Sequence, residues 1–293
     1  MSTANATRVL FDEPGPRGRI RIAVWSVVLG VVLVGLVAFA VWQFYVHGQL
    51  EVNKWFGFLN PAIVRFLGDG VLGTFQATLM AAVVAFPLGL LLALGRVSPN
   101  AAFARACTLW IEFFRSIPML LVVYAFLLAF PRWGLNLPIF WKLVVPMILV
   151  SSASTAEVFR AGINAVDRGQ HEAAAAIGMT PGLGMRLVIL PQAFRLVLPG
   201  LLTQLVSLLK DSTLGYVVSY PELMQQGRTL TSYTSHLIQT YLVVALIYVV
   251  LNLLLTRLAQ WLQGRTGRRA AAGHTRAEGN AAEQAAGMMP APQ

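Results

Sequence analysis

The chain has 293 residues, of which 57% are hydrophobic and only 12% are charged. Charged side chains this few cannot cover the surface of a water-soluble domain, so the composition excludes a soluble fold. The formal net charge is +10, but the basic residues cluster between apolar segments. That distribution indicates membrane topology and excludes a nucleic-acid-binding patch.

Three stretches contain no Asp, Glu, Lys or Arg: residues 22–50, 70–95 and 229–256. Each is longer than the roughly 20 residues that a helix needs to cross the hydrocarbon core. A spanning segment must satisfy its own backbone hydrogen bonds, and these stretches are too long for barrel strands, so we expect helices. The apolar pattern predicts six spans, at 22–45, 71–95, 107–130, 141–162, 196–220 and 236–260.

The first apolar stretch has the length of a membrane anchor. Its apolar run at 22–44 exceeds the roughly 7–15 residues of a signal-peptide core, and no Ala-x-Ala cleavage site follows it. We therefore expect a retained helix at 21–46. The polar tails at 1–20 and 263–293 lack an apolar period, and we expect both to be disordered.

Aromatic and apolar side chains alternate with a few charges at 47–69, between the first two spans. Residues such as Trp55, Phe56 and Phe58 favour an interfacial segment along the outer membrane surface. An ordinary loop that caps the ends of the spans accounts for the same pattern, and both interpretations stay open. The Asn60-Pro61 pair indicates that a helix starts within this segment.

The basic residues predict the orientation of the chain. Sixteen Lys and Arg residues fall on one side of the six-span arrangement and five on the other, with Lys210 inside a span. The side with sixteen is expected to be cytoplasmic. Both termini and the loop at 168–195 then face the cytosol of a multi-pass plasma-membrane protein.

The sequence EAAAAIGMTPGLGMRLVILP, at 172–191, predicts a helix–turn–helix within that loop. Residues 168–177 have high helix propensity, and Gly178 can adopt the left-handed conformation that ends a helix. Thr180 suits an N-cap, followed by Pro181 as the first residue of a second helix reaching about 189. Pro191 is expected to end or kink this second helix.

The layout of this loop resembles the EAA loop of ATP-binding-cassette (ABC) importer permeases of the polar amino acid family. Four segments carry the resemblance: LWIEFFRSIPMLLVVY (109–124), EVFRAGINAVDRGQHEAAAAIGM (157–179), RLVILPQAFRLVLPGL (186–201) and SLLKDSTLGYVVSYPEL (207–223). Val188 departs from the family pattern, which often has Ile there. The similarity covers about 70–262. The segment VLFDEPGPRGR at 9–19 and the extra first span resemble the glutamate-uptake permeases of actinobacteria.

The resemblance implies an all-α polytopic membrane protein with the type I ABC importer transmembrane fold. Its permease domain at 70–262 would have five core helices, and the N-terminal helix would make six in total. The implied function is import of glutamate or a related polar amino acid. Residues implied to couple the permease to an ATPase are Glu172, Ala173, Ala174, Gly178, Val188, Leu190 and Pro191.

The resemblance also implies partner proteins. The chain contains no G-x-x-x-x-G-K-[ST] phosphate-binding loop, so ATP hydrolysis is expected on a separate ABC ATPase dimer and not on this chain. An extracellular substrate-binding protein and a second permease subunit complete the expected assembly, as a heterodimer or a homodimer. Cys107 is the single cysteine and the four histidines are scattered, so we expect no metal and no cofactor.

Charged residues within the predicted spans are candidates for the translocation path. Glu112 with Arg115 and Glu157 with Arg160 each lie three apart, on one helix face. We expect crosswise pairs, Glu112 with Arg160 and Arg115 with Glu157, either as structural ion pairs or along the path. The second candidate group is Lys210, Asp211, Ser212 and Thr213, in which Lys210 could offer a cation to an acidic substrate.

Two other functions remain open at this stage. An ion-coupled secondary transporter would work without an ATPase, but inverted repeats are typical of such proteins and the sequence contains no repeat. A membrane-embedded enzyme would need a catalytic constellation of His, Cys or paired carboxylates, which the sequence lacks.

Overall fold

The structure is a computed structural model that describes residues 15–261. Across these residues the secondary structure is helical, with no strand. The disorder expected for the two tails concerns mainly residues 1–14 and 263–293, which lie outside the described residues. The predicted N-terminal tail is too long, because the first helix already begins at Pro16. Proline suits the first turn of a helix, where its missing N–H would have no helical partner.

The chain divides into two compact units between Asn60 and Pro61. The first unit contains α1 (Pro16–Val46), α2 (Val52–Phe56) and a 3₁₀ turn at Gly57–Leu59. No residue of α1 is buried, and the helix is long and apolar enough to cross a bilayer. The connection after α1 folds back on itself, since the Lys54 ammonium donates to the Gly48 carbonyl at 2.7 Å.

The second unit contains the remaining helices. Their bounds are α3 (Pro61–Arg96), α4 (Ala101–Ser116), α5 (Met119–Tyr124), α6 (Ile139–Asn164), α7 (Arg168–Ala176), α8 (Pro181–Gly184), α9 (Leu190–Asp211), α10 (Leu223–Thr234) and α11 (Leu237–Trp261). The helix start predicted at Asn60-Pro61 is confirmed, because α3 begins at Pro61. The boundary expected between 69 and 70 lies inside this helix.

Five helices of the described residues are long and apolar enough to cross a membrane, and a bent pair could provide a sixth span. The bent pair corrects the prediction of one continuous span at 107–130: Ala101–Ser116 and Met119–Trp133 meet at an angle of 98°. Pro118 disfavours helical dihedrals at the preceding residue, and Ile117 is extended, with ψ of 127°. The interruption therefore has a local steric cause.

The core of the second unit forms where α3 lies against α6. The buried face of α3 is made of small residues, including Gly73, Ala77, Ala81 and Gly89. A Cβ atom added at Gly89 would lie 2.7 Å from the Cβ of Thr155 on α6. Small side chains allow this close backbone approach, which replaces the hydrophobic driving force that lipid does not supply between helices.

The loop helix continues directly into the next span. Pro191 was expected either to end or to kink this helix. The first expectation is wrong, because the helix runs from Pro181 to Val218. A π-helical turn at Met185–Ile189 precedes this proline. The wider turn accommodates a residue that lacks an N–H and whose ring would crowd the carbonyl four residues earlier.

We predict that Gly89→Val destabilises the bundle, because its side chain would overlap Thr155 in the seam between α3 and α6. Overpacking of this kind costs about 1–3 kcal/mol. The apparent melting temperature of the detergent-solubilised protein should fall clearly. Gly68→Val, on the same helix at a site with no neighbour within 4 Å, is the matched control. Equal melting temperatures for the two variants would contradict the close approach.

Candidate functional site

The loop between α6 and α9 has the helix–turn–helix form that its sequence predicts. The first helix spans Arg168–Ala176, and Gly178 has a φ of +80°, in the left-handed region. The Thr180 hydroxyl accepts a hydrogen bond from the Leu183 N–H at 3.4 Å, with Pro181 in the first turn that follows. The predicted cap, turn and second helix start are therefore confirmed.

Packing and hydrogen bonds fix the loop to the bundle. Ala174 is buried against the backbone of α8, where a Cβ added at Gly184 would lie 3.4 Å from the Ala174 Cβ. The Gln192 side-chain amide donates to the Gln170 side chain and to the Val188 carbonyl, each at 3.0 Å. Because Gln170 lies on α7 and Gln192 on α9, the loop is tied to the span that follows it.

An apolar cluster connects the loop to the end of α6. Ile163 and Val166 pack with Ile189 and Ala193, and all four side chains are buried. Residues on both sides of the loop thus share one small core. A displacement of the loop is expected to move the C-terminal end of α6 and the N-terminal end of α9 with it.

Some of the predicted coupling residues pack in or against the buried part of the loop, and the others lie at its surface. Glu172, Ala173, Gly178 and Pro191 are exposed, Ala174 is buried, and Val188 and Leu190 are partly buried and pack against the apolar cluster. A concave pocket of about 290 Å³ lies between the two loop helices, lined in part by His171, Ala175 and Met179. The coupling role of these residues stays a prediction.

Three large apolar side chains of the loop were not among the predicted residues. Ile177 is 72% exposed, Leu183 46% and Leu187 56%. They belong to the same loop as Glu172, which is also exposed: Ile177 follows the first loop helix, and Leu183 and Leu187 lie in the second. Exposed apolar side chains grouped on a connecting loop are typical of a protein-binding surface. The four-residue spacing of Leu183 and Leu187 was the available signal in the sequence.

The charges predicted to lie within the spans form a cluster centred on one carboxylate. The Glu157 carboxylate lies 2.6 Å from the guanidinium of Arg96, 2.7 Å from that of Arg160 and 3.5 Å from that of Arg115. The side chain of Glu157 is only 19% exposed. Through these contacts Glu157 on α6 joins the end of α3 and the end of α4.

Of the two crosswise ion pairs expected from the sequence, one is present and the other is wrong. The Arg115–Glu157 pair is present, but Glu112 lies 3.9 Å from Arg96 instead of pairing with Arg160. Arg160 is instead held by Glu157, three residues earlier on its own helix. Sequence reasoning missed Arg96 because it ends a charge-free span, although its long side chain can reach two neighbouring helices.

Residues 210–213 lie where α9 tightens into a 3₁₀ segment at Ser212–Val218. Lys210 is exposed, whereas Asp211 is partly buried and Ser212 is fully buried. The Ser212 and Thr213 hydroxyls each donate to a backbone carbonyl three residues earlier, at 2.7 Å. Within this group, the Lys210 side chain is therefore the one available to a charged partner.

Known proteins are similar to this chain over a stretch that includes the loop and the charged cluster. The family described as "binding-protein-dependent transport system inner membrane component" matches residues 85–268. The glutamate transport system permease protein GluD of Corynebacterium glutamicum is 34% identical over 228 residues, which is 76% of this chain and 84% of that protein. The probable glutamine ABC transporter permease protein GlnM of Bacillus subtilis is 36% identical over 67% of this chain and 91% of its own length.

A solved structure has a similar fold. The crystal structure of an amino acid ABC transporter with histidines aligns with a TM-score of 0.69 and 31% identity, covering 72% of this chain and 98% of that chain.

We predict that Glu157→Gln weakens the charged cluster, because it leaves three guanidinium groups without their shared carboxylate. The expected loss is about 2 kcal/mol, as for hydrogen bonds to charged groups. Glu112→Gln is the matched control: its side chain is 62% exposed and 3.9 Å from Arg96, so its effect should stay below about 1 kcal/mol. Thermal unfolding in detergent measures both variants, and equal losses would contradict the central place of Glu157.

Proposed function

Because this chain belongs to the family of binding-protein-dependent transport system inner membrane components, and its relatives are permeases of amino acid ABC importers, we propose that it is the permease subunit of an ATP-driven amino acid importer. In this proposal the bundle of α3 to α11 forms the translocation path at 70–262. The loop at 168–195 lies in the cytosol and receives the motion of a separate ATPase dimer.

The exposed apolar surface of the loop carries this proposal. Ile177, Leu183 and Leu187 stand out from a loop whose other face is fixed to α6 and α9. An ATPase that binds these side chains would act on a rigid element and not on a flexible connection. Its ATP-dependent movement could then shift the bundle between outward-open and inward-open populations.

The proposed substrate is glutamate or a related polar amino acid. GluD, whose printed name specifies glutamate, is similar over three quarters of this chain. Lys210 presents a cation on α9, which continues from the loop, and a cation at membrane depth usually faces a partner or a water-filled path. We propose that the Lys210 ammonium contacts the acidic substrate during its passage.

The remaining parts of the assembly follow from the same proposal. A second permease subunit, related to this chain in a heterodimer, would complete the path, and an extracellular binding protein would deliver the substrate. Both termini lie in the cytosol in the proposed topology. The helix α1 then adds a membrane anchor outside the five-helix core.

We predict that Gly178→Ala uncouples the permease while leaving its membrane insertion normal. An alanine at φ +80° is strained by about 1–2 kcal/mol, which corresponds to a roughly tenfold loss of substrate-stimulated ATPase activity in the assembled complex. Glu172→Lys should lower the same activity by reversing an exposed charge on the proposed contact surface.

The control for Gly178 is Gly182→Ala, in the same loop. Neither glycine has an atom within 4 Å of an added Cβ, but only Gly178 has a positive φ. Stimulated ATPase activity should therefore survive in Gly182→Ala. If Gly178→Ala and Glu172→Lys both retain full stimulation, the loop does not couple the chain to an ATPase.

We predict that Lys210→Met lowers glutamate uptake by reconstituted complexes about tenfold, as expected when a charge-assisted hydrogen bond is lost. Lys210→Arg keeps the charge and should retain most uptake. The measurement is radiolabelled uptake with glutamate and glutamine in parallel, since the methionine variant should lose its preference for the acidic substrate. Unchanged uptake and unchanged substrate preference in Lys210→Met would rule out the contact.

A further inference from the structure

Glu222 occupies a fully buried position at the start of α10, the connection between the last two spans. Among the described residues it is the only charged residue with no exposed surface. Its carboxylate accepts hydrogen bonds from the backbone N–H of Met224 at 2.8 Å and of Gln225 at 2.7 Å. The Tyr248 hydroxyl of α11 donates to the same carboxylate at 2.7 Å.

These bonds give Glu222 two separate roles. The backbone bonds cap α10, a task that any side-chain acceptor at this position could perform. The Tyr248 bond reaches a different helix and joins the start of α10 to the middle of α11. A buried carboxyl group without such partners would be strongly destabilising, so the Tyr248 hydrogen bond favours the packing of α11 against the start of α10.

Neighbouring segments pack closely around Glu222 and the residues next to it. A Cβ added at Gly215 would lie 2.6 Å from the Glu222 Cγ, and one added at Gly73 of α3 would collide with the Pro221 carbonyl oxygen. The Thr74 hydroxyl of α3 accepts a hydrogen bond from the Leu223 N–H at 3.2 Å. The start of α10 is therefore held by both α3 and α11.

The other face of α10 carries exposed side chains. Arg228, Ser232 and Tyr233 are exposed, Tyr233 by 88%, beside an apolar groove of about 330 Å³ that includes Phe66 and Leu230. In the proposed topology this face points outward. A protein that engages the outer surface would therefore press on a helix whose buried end is bonded to α11.

The far end of α11 lies beside the helix that continues from the loop. Thr256 and Ala259 line a cavity of about 400 Å³ together with Pro199 and Thr203. These α11 residues lie about 12–17 Å along the helix axis from Tyr248, at 1.5 Å per residue. One helix thus connects the Glu222 carboxylate with the span that leads into the loop.

We propose that Glu222 is a positioning residue for transport. Its hydrogen bond to Tyr248 makes α10 and α11 move as one body. A movement of α10, caused by a protein that binds the outer surface, is thereby transmitted through α11 to the loop. This inference rests on the proposed function, because the contact from outside is that of the substrate-binding protein. The physical link consists of the carboxylate, the tyrosine and the length of α11.

The first test measures ATPase activity in the assembled complex with and without substrate-loaded binding protein. Tyr248→Phe removes the bonding hydroxyl and keeps the ring, so the stimulation should fall about fivefold or more, the scale of a typical coupling energy, while basal activity stays unchanged. In a chain that keeps Tyr248, Glu222→Gln should retain most of the stimulation, since its amide oxygen can cap α10 and still accept the Tyr248 hydrogen bond. Tyr241→Phe, on the same helix, is the control for loss of a hydroxyl.

The second test needs neither ATPase nor binding protein. Cys107 is the only cysteine of the chain and is buried, so Cys107→Ala gives a background without thiols. Leu230→Cys then places a probe at the bottom of the apolar groove beside α10, where the Leu230 side chain is only 5% exposed. With Tyr248→Phe added, labelling by a membrane-impermeant maleimide in intact membranes should become severalfold faster, because α10 is released from α11.

The outcomes separate the two proposals. If binding protein does not stimulate the ATPase activity of the wild-type complex, the proposed function is contradicted. In that case the labelling experiment still tests the role of the Glu222–Tyr248 bond. If Tyr248→Phe keeps wild-type stimulation, or if Leu230→Cys is labelled at the same rate with and without Tyr248→Phe, the positioning role is overturned. Equal losses of basal and stimulated activity in Tyr248→Phe also overturn it, since they indicate a purely structural bond.

Discussion

The fold depends on the close approach of the small-residue face of α3 to its neighbours. The missing side chain of Gly73 leaves room for the backbone carbonyl just before Glu222. In the same way, Gly89 leaves room for Thr155, and Gly95 leaves room for the helix that carries Cys107. At the C-terminal end of the same helix, Arg96 reaches the Glu157 carboxylate. Because helices in lipid gain little from hydrophobic burial against one another, this backbone proximity and the polar contacts at both ends hold the bundle together.

The carboxylates of Glu157, which is 19% exposed, and of Glu222, which is fully buried, lie near opposite ends of this helix and have different surroundings. Glu157 is held by guanidinium groups from three helices, α3, α4 and its own helix α6. Glu222 is held by backbone N–H groups and one hydroxyl, without a cation among its hydrogen-bond donors. An ion cluster fixes helices through several long side chains, whereas the single hydroxyl at Glu222 is a link that one substitution can release. This difference makes the two sites separable by experiment.

Local chemistry made the loop predictable. Gly178, Thr180 and Pro181 each act through their own backbone or the next turn, so their roles could be inferred from neighbouring residues alone. The spans were predictable for a similar reason, since length and lack of charge are sufficient to identify them. The 98° bend after Ser116 was only partly predictable, because a proline permits a break but tertiary packing sets its angle. Arg96 and Glu222 could not be placed at all, since their partners are far away in the sequence and are set by how the helices pack.

In the proposed function, this chain transports only when a separate ATPase acts on its loop. Its most direct test is uptake of labelled glutamate into proteoliposomes that contain this chain, its partner permease and the ATPase, with binding protein outside. We expect uptake with ATP enclosed, and none when ATP or the ATPase subunit is omitted. Uptake by the permease chains alone, driven by an ion gradient without ATP, would contradict it.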